Sequence, residues 1–199
     1  MRRKILAVII SSIMTTACGG SSRSLIGYVP PSQKHVGNIE VTEWTEAGEQ
    51  GFHFHAPAGD VLVVYFGYTN CPDMCPTTMV NVRNAKNRIG EDLARHVDLA
   101  MVTVDPGRDL GEKLKKYLGS FAERTHALVP SSTEELEKAK DAFQVTSTVT
   151  ETADGKVTVS HSGSAYVVNA AGDVVVEWPF GLDAKAMAND LQLLLTSGA

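Results

Sequence analysis

The segment from Val61 to Met79 constrains the fold of this chain more than any other part of its 199 residues. It opens with an unbroken run of six apolar and aromatic residues, which is typical of a strand buried on both faces. The run ends at Gly67, and a short loop then presents Cys71 and Cys75. Apolar residues at helical spacing follow over residues 77–89. The segment therefore predicts a buried strand that leads through a two-cysteine loop into a helix.

The rest of the chain predicts the strands and helices of an α/β domain around this segment. Weak alternation of apolar and polar residues predicts a hairpin before the buried strand. Asp154-Gly155 between two β-like stretches predicts a second, inserted hairpin. In open α/β sheets, ligands bind at the carboxyl ends of the strands, and the cysteine loop begins at that end of the buried strand. We therefore predict a thioredoxin-like fold with an N-terminal β-hairpin and an inserted hairpin. The predicted strands are 41–44, 51–55, 61–66, 97–104, 127–129, 145–152, 156–160, 164–169 and 173–177, and the predicted helices are 77–89, 109–118, about 131–142 and 183–195.

The N-terminus has the pattern of an export signal. Residues 1–17 contain a basic start and a short apolar stretch, and they lead into Cys18. This pattern resembles a bacterial lipoprotein signal that is cut before Cys18, whose thiol would then carry a diacylglycerol. A plain secretory signal with an incidental cysteine is the alternative, and both place the domain outside the cytoplasm. The Gly, Ser and Pro content of residues 18–37 predicts a tether, followed by the domain at 38–199.

The charge of the chain argues against nucleic acid as a partner. Its formal charge is −5, and it becomes −8 once the three basic residues of the leader are removed. Binding to nucleic acid requires a basic patch or stripe, and the sequence contains none.

The pair Cys71 and Cys75 predicts either a disulfide or a soft-metal site. A loop this short can bring two thiols within disulfide range, and an oxidising compartment permits the bond. Thiolates at the start of a helix can equally bind Cu(I), zinc or an iron–sulfur cluster. Zinc usually requires four protein ligands, and an iron–sulfur cluster requires more cysteines than the domain has. A purely structural disulfide would add little stability because its loop is so short.

His161 is a candidate third ligand because small polar residues surround it and leave room for a metal. A lone histidine in such a loop is more often merely solvated. Asp73 lies between the cysteines and is expected to cap the helix, while Asp105 and Arg108 follow a strand that should end near the cysteine loop. Met74 offers a thioether as a further candidate ligand.

Three segments of the chain together resemble the SCO/SenC family of copper proteins that serve cytochrome c oxidase assembly. They are Phe66–Pro76 with its CPxxCP pattern, Val102–Asp109 with its VDPxRD pattern, and Ser160–Ser162 ahead of Tyr166. The resemblance extends from about Val36 to the end of the chain. It implies a thioredoxin-like fold and a copper ion, Cu(I) or Cu(II), bound by Cys71, Cys75 and His161.

Two functions follow from the resemblance and the residues. The first is a copper metallochaperone that passes copper to the copper-bearing subunit of cytochrome c oxidase and receives it from a periplasmic or other extracytoplasmic donor. The second is a thiol–disulfide reductase, which would use Cys71 and Cys75 as a redox pair and would not need His161. Thioredoxin-type reductases have two residues between their cysteines, whereas this chain has three, which favours metal capture. We expect a cell-membrane lipoprotein whose domain faces the extracytoplasmic side.

Overall fold

Residues 24–155 and 157–197 are described by the structure, a computed structural model, and they contain ten strands and five helices. The predicted strands and helices are present in the predicted order, and the structure adds a two-residue strand at Lys34–His35 and a four-residue helix at Glu91–Ala94 that were not predicted. The strands are β1 (Lys34–His35), β2 (Glu40–Thr45), β3 (Gly48–His53), β4 (Val61–Gly67), β5 (Val97–Thr103), β6 (Thr125–Leu128), β7 (Ser147–Glu151), β8 (Val157–His161), β9 (Ala165–Val168) and β10 (Asp173–Trp178). The helices are α1 (Met74–Ile89), α2 (Glu91–Ala94), α3 (Gly111–Gly119), α4 (Thr133–Phe143) and α5 (Ala184–Ser197).

Strand β4 lies in the interior of an eight-stranded sheet with the order β1-β10-β9-β4-β5-β6-β2-β3. All seven of its residues are buried, which accounts for the unbroken apolar run in the sequence. It pairs in parallel with β5 and in antiparallel with β9, and β5 pairs in parallel with β6. The N-terminal hairpin β2–β3 extends the sheet beyond β6, while β7 and β8 form the separate inserted hairpin. The predicted thioredoxin-like fold with two added hairpins is therefore confirmed.

The folded unit begins earlier than the predicted domain start at residue 38. Strand β1 pairs with β10, and Val36 is completely buried. The backbone N–H groups of Ile26 and Gly27 donate to the carboxylate of Asp190, which is itself fully buried. These hydrogen bonds hold the later part of the predicted 18–37 tether on the domain, although its composition alone indicates a linker. The predicted 1–17 signal and Cys18 lie outside the described residues.

The first two long helices differ from their predicted starts. Helix α1 begins at Met74 instead of residue 77, so Cys75 lies in its first turn. Asp73 occupies the N-cap position without making the expected side-chain capping bond. Helix α3 begins at Gly111, because the carboxylate of Asp109 binds other groups instead of capping the helix. None of the helices in residues 24–155 and 157–197 has the length and apolarity needed to cross a bilayer.

A charged cluster surrounds His126 at the edge of the sheet where the parallel strands begin. The Nδ1 atom of His126 lies 2.8 Å from Glu43 Oε1, and its Nε2 atom lies 3.7 Å from Asp98 Oδ2. Burial alone would raise the pKa of Glu43 and of Asp98, but hydrogen bonds from His126 and neighbouring donors outweigh it and lower both values. Burial alone would lower the pKa of His126, yet its two acidic partners raise it.

The contribution of this cluster to stability is therefore expected to be largest in mildly acidic solution. The contribution of Glu43 and Asp98 is present above their unfolded pKa values and is lost as the pH falls through their lowered folded values. The contribution of His126 is present below its unfolded pKa and is lost as the pH rises through its raised folded value. The contribution of this cluster, measured in urea as the difference in the free energy of unfolding between the parent and His126→Gln, should be highest between about pH 4.5 and 6.5. His126→Gln should remove the decline on the alkaline side, while His55→Gln at an exposed position should keep it. An alkaline decline that survives His126→Gln would contradict this assignment.

Candidate metal centre

The structure brings together three side chains that sequence analysis placed in one site. The ligand atoms of Cys71, Cys75 and His161 all lie within 4.8 Å of one another. The Sγ atom of Cys75 is 3.5 Å from Nε2 of His161, and the backbone N–H of Cys75 donates to Sγ of Cys71 over 3.4 Å. Both cysteines are free thiols. Within the described residues this is the only group of three or more such ligands close enough to hold one metal ion.

The pairing of β9 with β4 explains how His161 reaches a cysteine loop 86 residues earlier than itself. Tyr65 pairs with Ala165, so the chain just before Ala165 runs beside the carboxyl end of β4, where the cysteine loop begins. A bond from Ser162 N–H to the Thr146 carbonyl, 2.9 Å long, joins the two ends of the inserted hairpin there. His161 is therefore held at the last position of β8 instead of in the open loop that the sequence suggested.

The orientation of the His161 ring suits a metal ligand. Its Nδ1 atom lies 2.9 Å from the carbonyl oxygen of Ser162, so an Nδ1–H can donate to that oxygen. This tautomer leaves the lone pair of Nε2 directed toward the sulfur of Cys75. Burial lowers the pKa of His161, which keeps the ring neutral and available for coordination.

The surroundings of Cys75 correct one expectation from the sequence. A position at a helix start predicts a lowered thiol pKa, but burial raises the pKa of Cys75 to about 12. Cys75 has no exposed surface, and loss of hydration penalises its charged form more than the helix start favours it. A thiolate at this position therefore requires a cation beside it. The donor set of two sulfurs and one imidazole nitrogen fits a soft cation such as Cu(I).

Access to the centre is through a cavity of about 580 Å³ beside the cysteine loop. Cys71, Met74, Arg108 and His161 are among the residues that line it. Cys71 is partly exposed while Cys75 is buried, so an incoming molecule meets Cys71 first. The rings of Tyr65 and Tyr68 each contact the His161 ring edge to face, with centroids 5.9 Å apart. These rings shield the imidazole and limit its movement.

Asp109 fixes the cysteine loop and was not identified as part of the site from the sequence. It is fully buried, and its carboxylate accepts hydrogen bonds from Thr69 N–H at 2.8 Å and from the Thr69 hydroxyl. It also accepts from the Thr103 hydroxyl at 3.0 Å and pairs with Lys113 at 3.3 Å. One carboxylate thereby ties the loop after β4 to the end of β5 and to α3. The sequence signal for this role was the VDPxRD pattern, which ends at Asp109. An aspartate with Glu112 three positions later is equally typical of a capping box at the start of a helix.

Three of the other candidate residues, Asp73, Met74 and Arg108, line the cavity. Arg108 forms an ion pair at 2.5 Å with Asp105, which is buried in the turn after β5. Asp73 is exposed, and its carboxylate is 3.4 Å from the Thr77 hydroxyl. Met74 lines the cavity, and its methyl group lies near Gly163.

Gly67 is a further residue of the site that sequence analysis treated only as a strand end. A Cβ atom at this position would lie 2.7 Å from Tyr65 Cε1, 2.8 Å from Met101 Cε and 2.9 Å from Cys75 Sγ. Such distances are shorter than van der Waals contact, so only glycine lets the Cys75 sulfur approach the strand this closely.

Comparison with known proteins identifies one family. The family model for SCO1/SenC matches residues 42–196. A SCO2-like protein of Rickettsia typhi is 24% identical over 160 residues, which cover 78% of each chain. The mitochondrial SCO1 homolog 1 of Arabidopsis thaliana is 30% identical over 111 residues, which cover 56% of this chain and 33% of that protein. The match thus spans only about a third of the Arabidopsis protein.

Solved structures with the same fold include several Sco proteins. Apo Sco1 of Thermus thermophilus has a TM-score of 0.73 at 24% identity, and the alignment covers 88% of this chain and 99% of that one. ScoI of Bradyrhizobium japonicum with copper bound has a TM-score of 0.64 at 26% identity, covering 77% and 96%. A SCO1/SenC family lipoprotein of Bacillus anthracis has a TM-score of 0.59 at 25% identity, covering 78% and 92%.

Proposed function

The chain belongs to the SCO1/SenC family, and on that basis we propose that it is a copper metallochaperone for assembly of the copper site of cytochrome c oxidase. The observation that supports this proposal best is the convergence of Cys71, Cys75 and His161 within 4.8 Å. A related structure from Bradyrhizobium japonicum contains copper. Copper is the cargo here, and the proposed ligands are the two cysteine sulfurs and Nε2 of His161.

The geometry of the centre suits transfer by ligand exchange. Three protein ligands leave a coordination position open, and the cavity beside Cys71 gives a partner's ligand a route to it. The sulfur of partly exposed Cys71 can be displaced first, while buried Cys75 and partly buried His161 retain the ion until the partner has bound it. We propose that the partner is the copper-bearing subunit of cytochrome c oxidase and that an extracytoplasmic donor supplies the copper.

A thiol–disulfide reductase is the second candidate function. Cys71 lies at the cavity surface, and its sulfur accepts a hydrogen bond from the backbone N–H of Cys75. A partly exposed sulfur with a buried neighbour suits an attacking and a resolving cysteine, since thiol–disulfide exchange depends on access to the attacking thiol. The two functions are compatible, since oxidation of the pair to a disulfide removes both sulfur ligands and releases the metal.

We also propose that the domain is anchored to a membrane by a lipid on Cys18 and faces the extracytoplasmic side. The leader pattern of residues 1–17 supports this anchor, as does the likeness to a lipoprotein of the same family from Bacillus anthracis. An anchor of this kind would restrict the protein to the membrane surface, where a membrane-bound oxidase is assembled.

Copper titration of His161→Ala separates the two functions. All proteins carry Cys18→Ser so that only the proposed ligand thiols are free. The parent should bind one Cu(II) with a sulfur-to-copper charge-transfer band in the visible spectrum. His161→Ala should weaken copper binding roughly 100-fold and displace the band. Loss of a group that merely hydrogen-bonds to a metal ligand already lowers metal affinity by about 10–100-fold, so loss of a ligand itself should cost at least as much. It should still reduce a disulfide substrate at the parent rate, because the redox pair is intact.

His53→Ala is the matched control, because His53 is exposed and its only ion pair among the described residues is with Glu40. It should bind copper as the parent does. Copper binding by His161→Ala at the parent affinity would refute the assignment of the third ligand. Rapid disulfide reduction by a parent protein that retains no copper would favour the reductase.

A further inference from the structure

The first ten described residues, 24–33 (the entry segment), present a cluster of exposed apolar side chains. Ile26, Tyr28 and Val29 are 55%, 53% and 52% exposed. They are three of the six large apolar residues exposed in the described part of the chain, and they lie within four consecutive positions. The entry segment also contains no charged residue. Exposed apolar residues that occur singly need no explanation, but a cluster of them marks a contact surface.

Hydrogen bonds fix the entry segment on the domain. The backbone N–H groups of Ile26 and Gly27 donate to the buried carboxylate of Asp190 at 2.7 and 2.9 Å. Tyr28 and Glu177 exchange two backbone hydrogen bonds, each 2.8 Å long. The apolar cluster is therefore carried by ordered backbone and has a fixed place on the domain.

Apolar residues occupy both faces of the entry segment. Leu25 packs against the core, and a Cβ atom at Gly27 would lie 2.5 Å from Val176 Cγ2, so this face is pressed onto β10. Successive side chains of extended backbone alternate, which places Ile26 and Tyr28 on the opposite face. A segment with one face on the core usually carries polar side chains on its other face. The outer face of the entry segment therefore suits apolar surroundings better than water.

The short distance along the chain to Cys18 points to a bilayer as those surroundings. Six peptide units separate Cys18 from Ser24, and a chain of that length spans at most about 20 Å when fully extended. A lipid on Cys18 would therefore hold the entry segment close to the membrane surface. Tyrosine is favoured at membrane interfaces, where its ring meets the apolar region and its hydroxyl meets water. Contact through an uncharged segment also avoids the cost of desolvating charges.

The entry segment joins the sheet at the end that carries the metal centre. Tyr28 forms an antiparallel bridge with Glu177 of β10. Glu177 pairs with Tyr166 of β9, which in turn pairs with Val64 of β4. Three strand spacings of about 4.8 Å each therefore separate Tyr28 from β4 across the sheet. Because the bridge is antiparallel, the chain from Tyr28 back to Ile26 leads toward the carboxyl end of β4, where the cysteine loop begins.

We propose that the entry segment is a membrane-contact surface, with Ile26, Tyr28 and Val29 in the interfacial layer of the bilayer that holds the lipid of Cys18. The inference rests on the lipid anchor proposed above, because the anchor brings this surface to the bilayer. The contact sets the orientation of the domain and keeps the metal centre near the membrane surface, where a membrane-bound partner can reach it.

Added tryptophans test the contact. Tyr28→Trp places an indole on the proposed surface, and Ile26→Trp is a second probe there in case one variant folds poorly. Leu110→Trp is the matched control, because Leu110 is 69% exposed and precedes α3, which packs against β2 and β6 on the other half of the sheet. Each protein is isolated with its lipid and placed in phosphatidylcholine vesicles. Its fluorescence is quenched either by brominated acyl chains or by iodide in the water, and the emission of the parent is subtracted.

The indoles on the entry segment should report the bilayer. Relative to Leu110→Trp, the emission added by Tyr28→Trp and by Ile26→Trp should be quenched several-fold more strongly by brominated lipid and several-fold less by iodide. It should also shift to shorter wavelength when the vesicles are added, because the indole leaves water.

Two results separate failure of the contact from failure of the anchor. Equal quenching of the tryptophans at positions 26, 28 and 110 would overturn the inference, since the apolar face would then be open to water or to a protein partner. The mass of the peptide that contains Cys18 tests the anchor, and an unmodified Cys18 would refute it. In that case the thiol is coupled to a maleimide phospholipid in a Cys71→Ser, Cys75→Ser background, and the same comparison of quenching decides the inference.

Discussion

Replacing Asp109 with alanine should lower the free energy of unfolding by about 3 kcal/mol, a factor of more than 100 in the folding equilibrium. The carboxylate is fully buried, and its removal leaves the Thr69 N–H, the Thr69 hydroxyl and the Thr103 hydroxyl without their acceptor. Each buried donor that loses its partner costs about 1–3 kcal/mol. The ion pair with Lys113 adds little, because the lysine side chain is 43% exposed.

The same substitution should weaken copper binding, since Thr69 lies two residues before Cys71. We expect a loss of about 10–100-fold, the range measured for groups that orient metal ligands. Urea unfolding and copper titration measure the two effects, and Asp109→Asn should recover part of both because its amide oxygen still accepts. Asp73→Ala is the control, because that aspartate is exposed and its side chain makes only one hydrogen bond among the described residues, at 3.4 Å to the Thr77 hydroxyl. Equal losses in Asp73→Ala and Asp109→Ala would contradict the proposed role of the buried carboxylate.

Replacing Gly111 with alanine should destabilise the protein by about 3 kcal/mol, at the upper end of the range for overpacked cores. A Cβ atom at Gly111 would lie 2.0 Å from Cγ and 2.3 Å from Cβ of Trp44. These atoms are close to the Trp44 backbone, so rotation of the side chain alone cannot relieve the clash. The first turn of α3 and strand β2 would have to move apart, and α3 is the helix that carries Lys113 beside Asp109.

Gly119→Ala provides a control on the same helix. No atom lies within 4 Å of a Cβ at Gly119, and alanine has a higher helix propensity than glycine. We expect Gly119→Ala to raise the free energy of unfolding by no more than about 1 kcal/mol. Unfolding in urea and the thermal midpoint measure both variants. A Gly111→Ala protein as stable as Gly119→Ala would show that α3 and β2 adapt to the added methyl group.

Most strands and helices could be predicted in order from the sequence because they have a local pattern, whereas the two-residue strand β1 and the four-residue helix α2 are too short to show one. The apolar run of β4 predicts a buried strand, and the Asp154-Gly155 turn predicts the inserted hairpin. The helix starts were less accurate, because capping depends on which groups a side chain can reach. Asp109 illustrates this point: its sequence context predicts a cap, whereas the fold gives its carboxylate stronger partners in the cysteine loop.

The sequence by itself determined the family, the α/β architecture and the three residues proposed as ligands, since these depend on motifs and on periodicity along the chain. Only the tertiary structure decided how close those ligands are, because the pairing of β9 with β4 brings His161 beside Cys75 across 86 residues. It also decided the ionisation of Cys75, because distant segments exclude water from its thiol. The energy of a charge depends on that exclusion more than on its sequence neighbours.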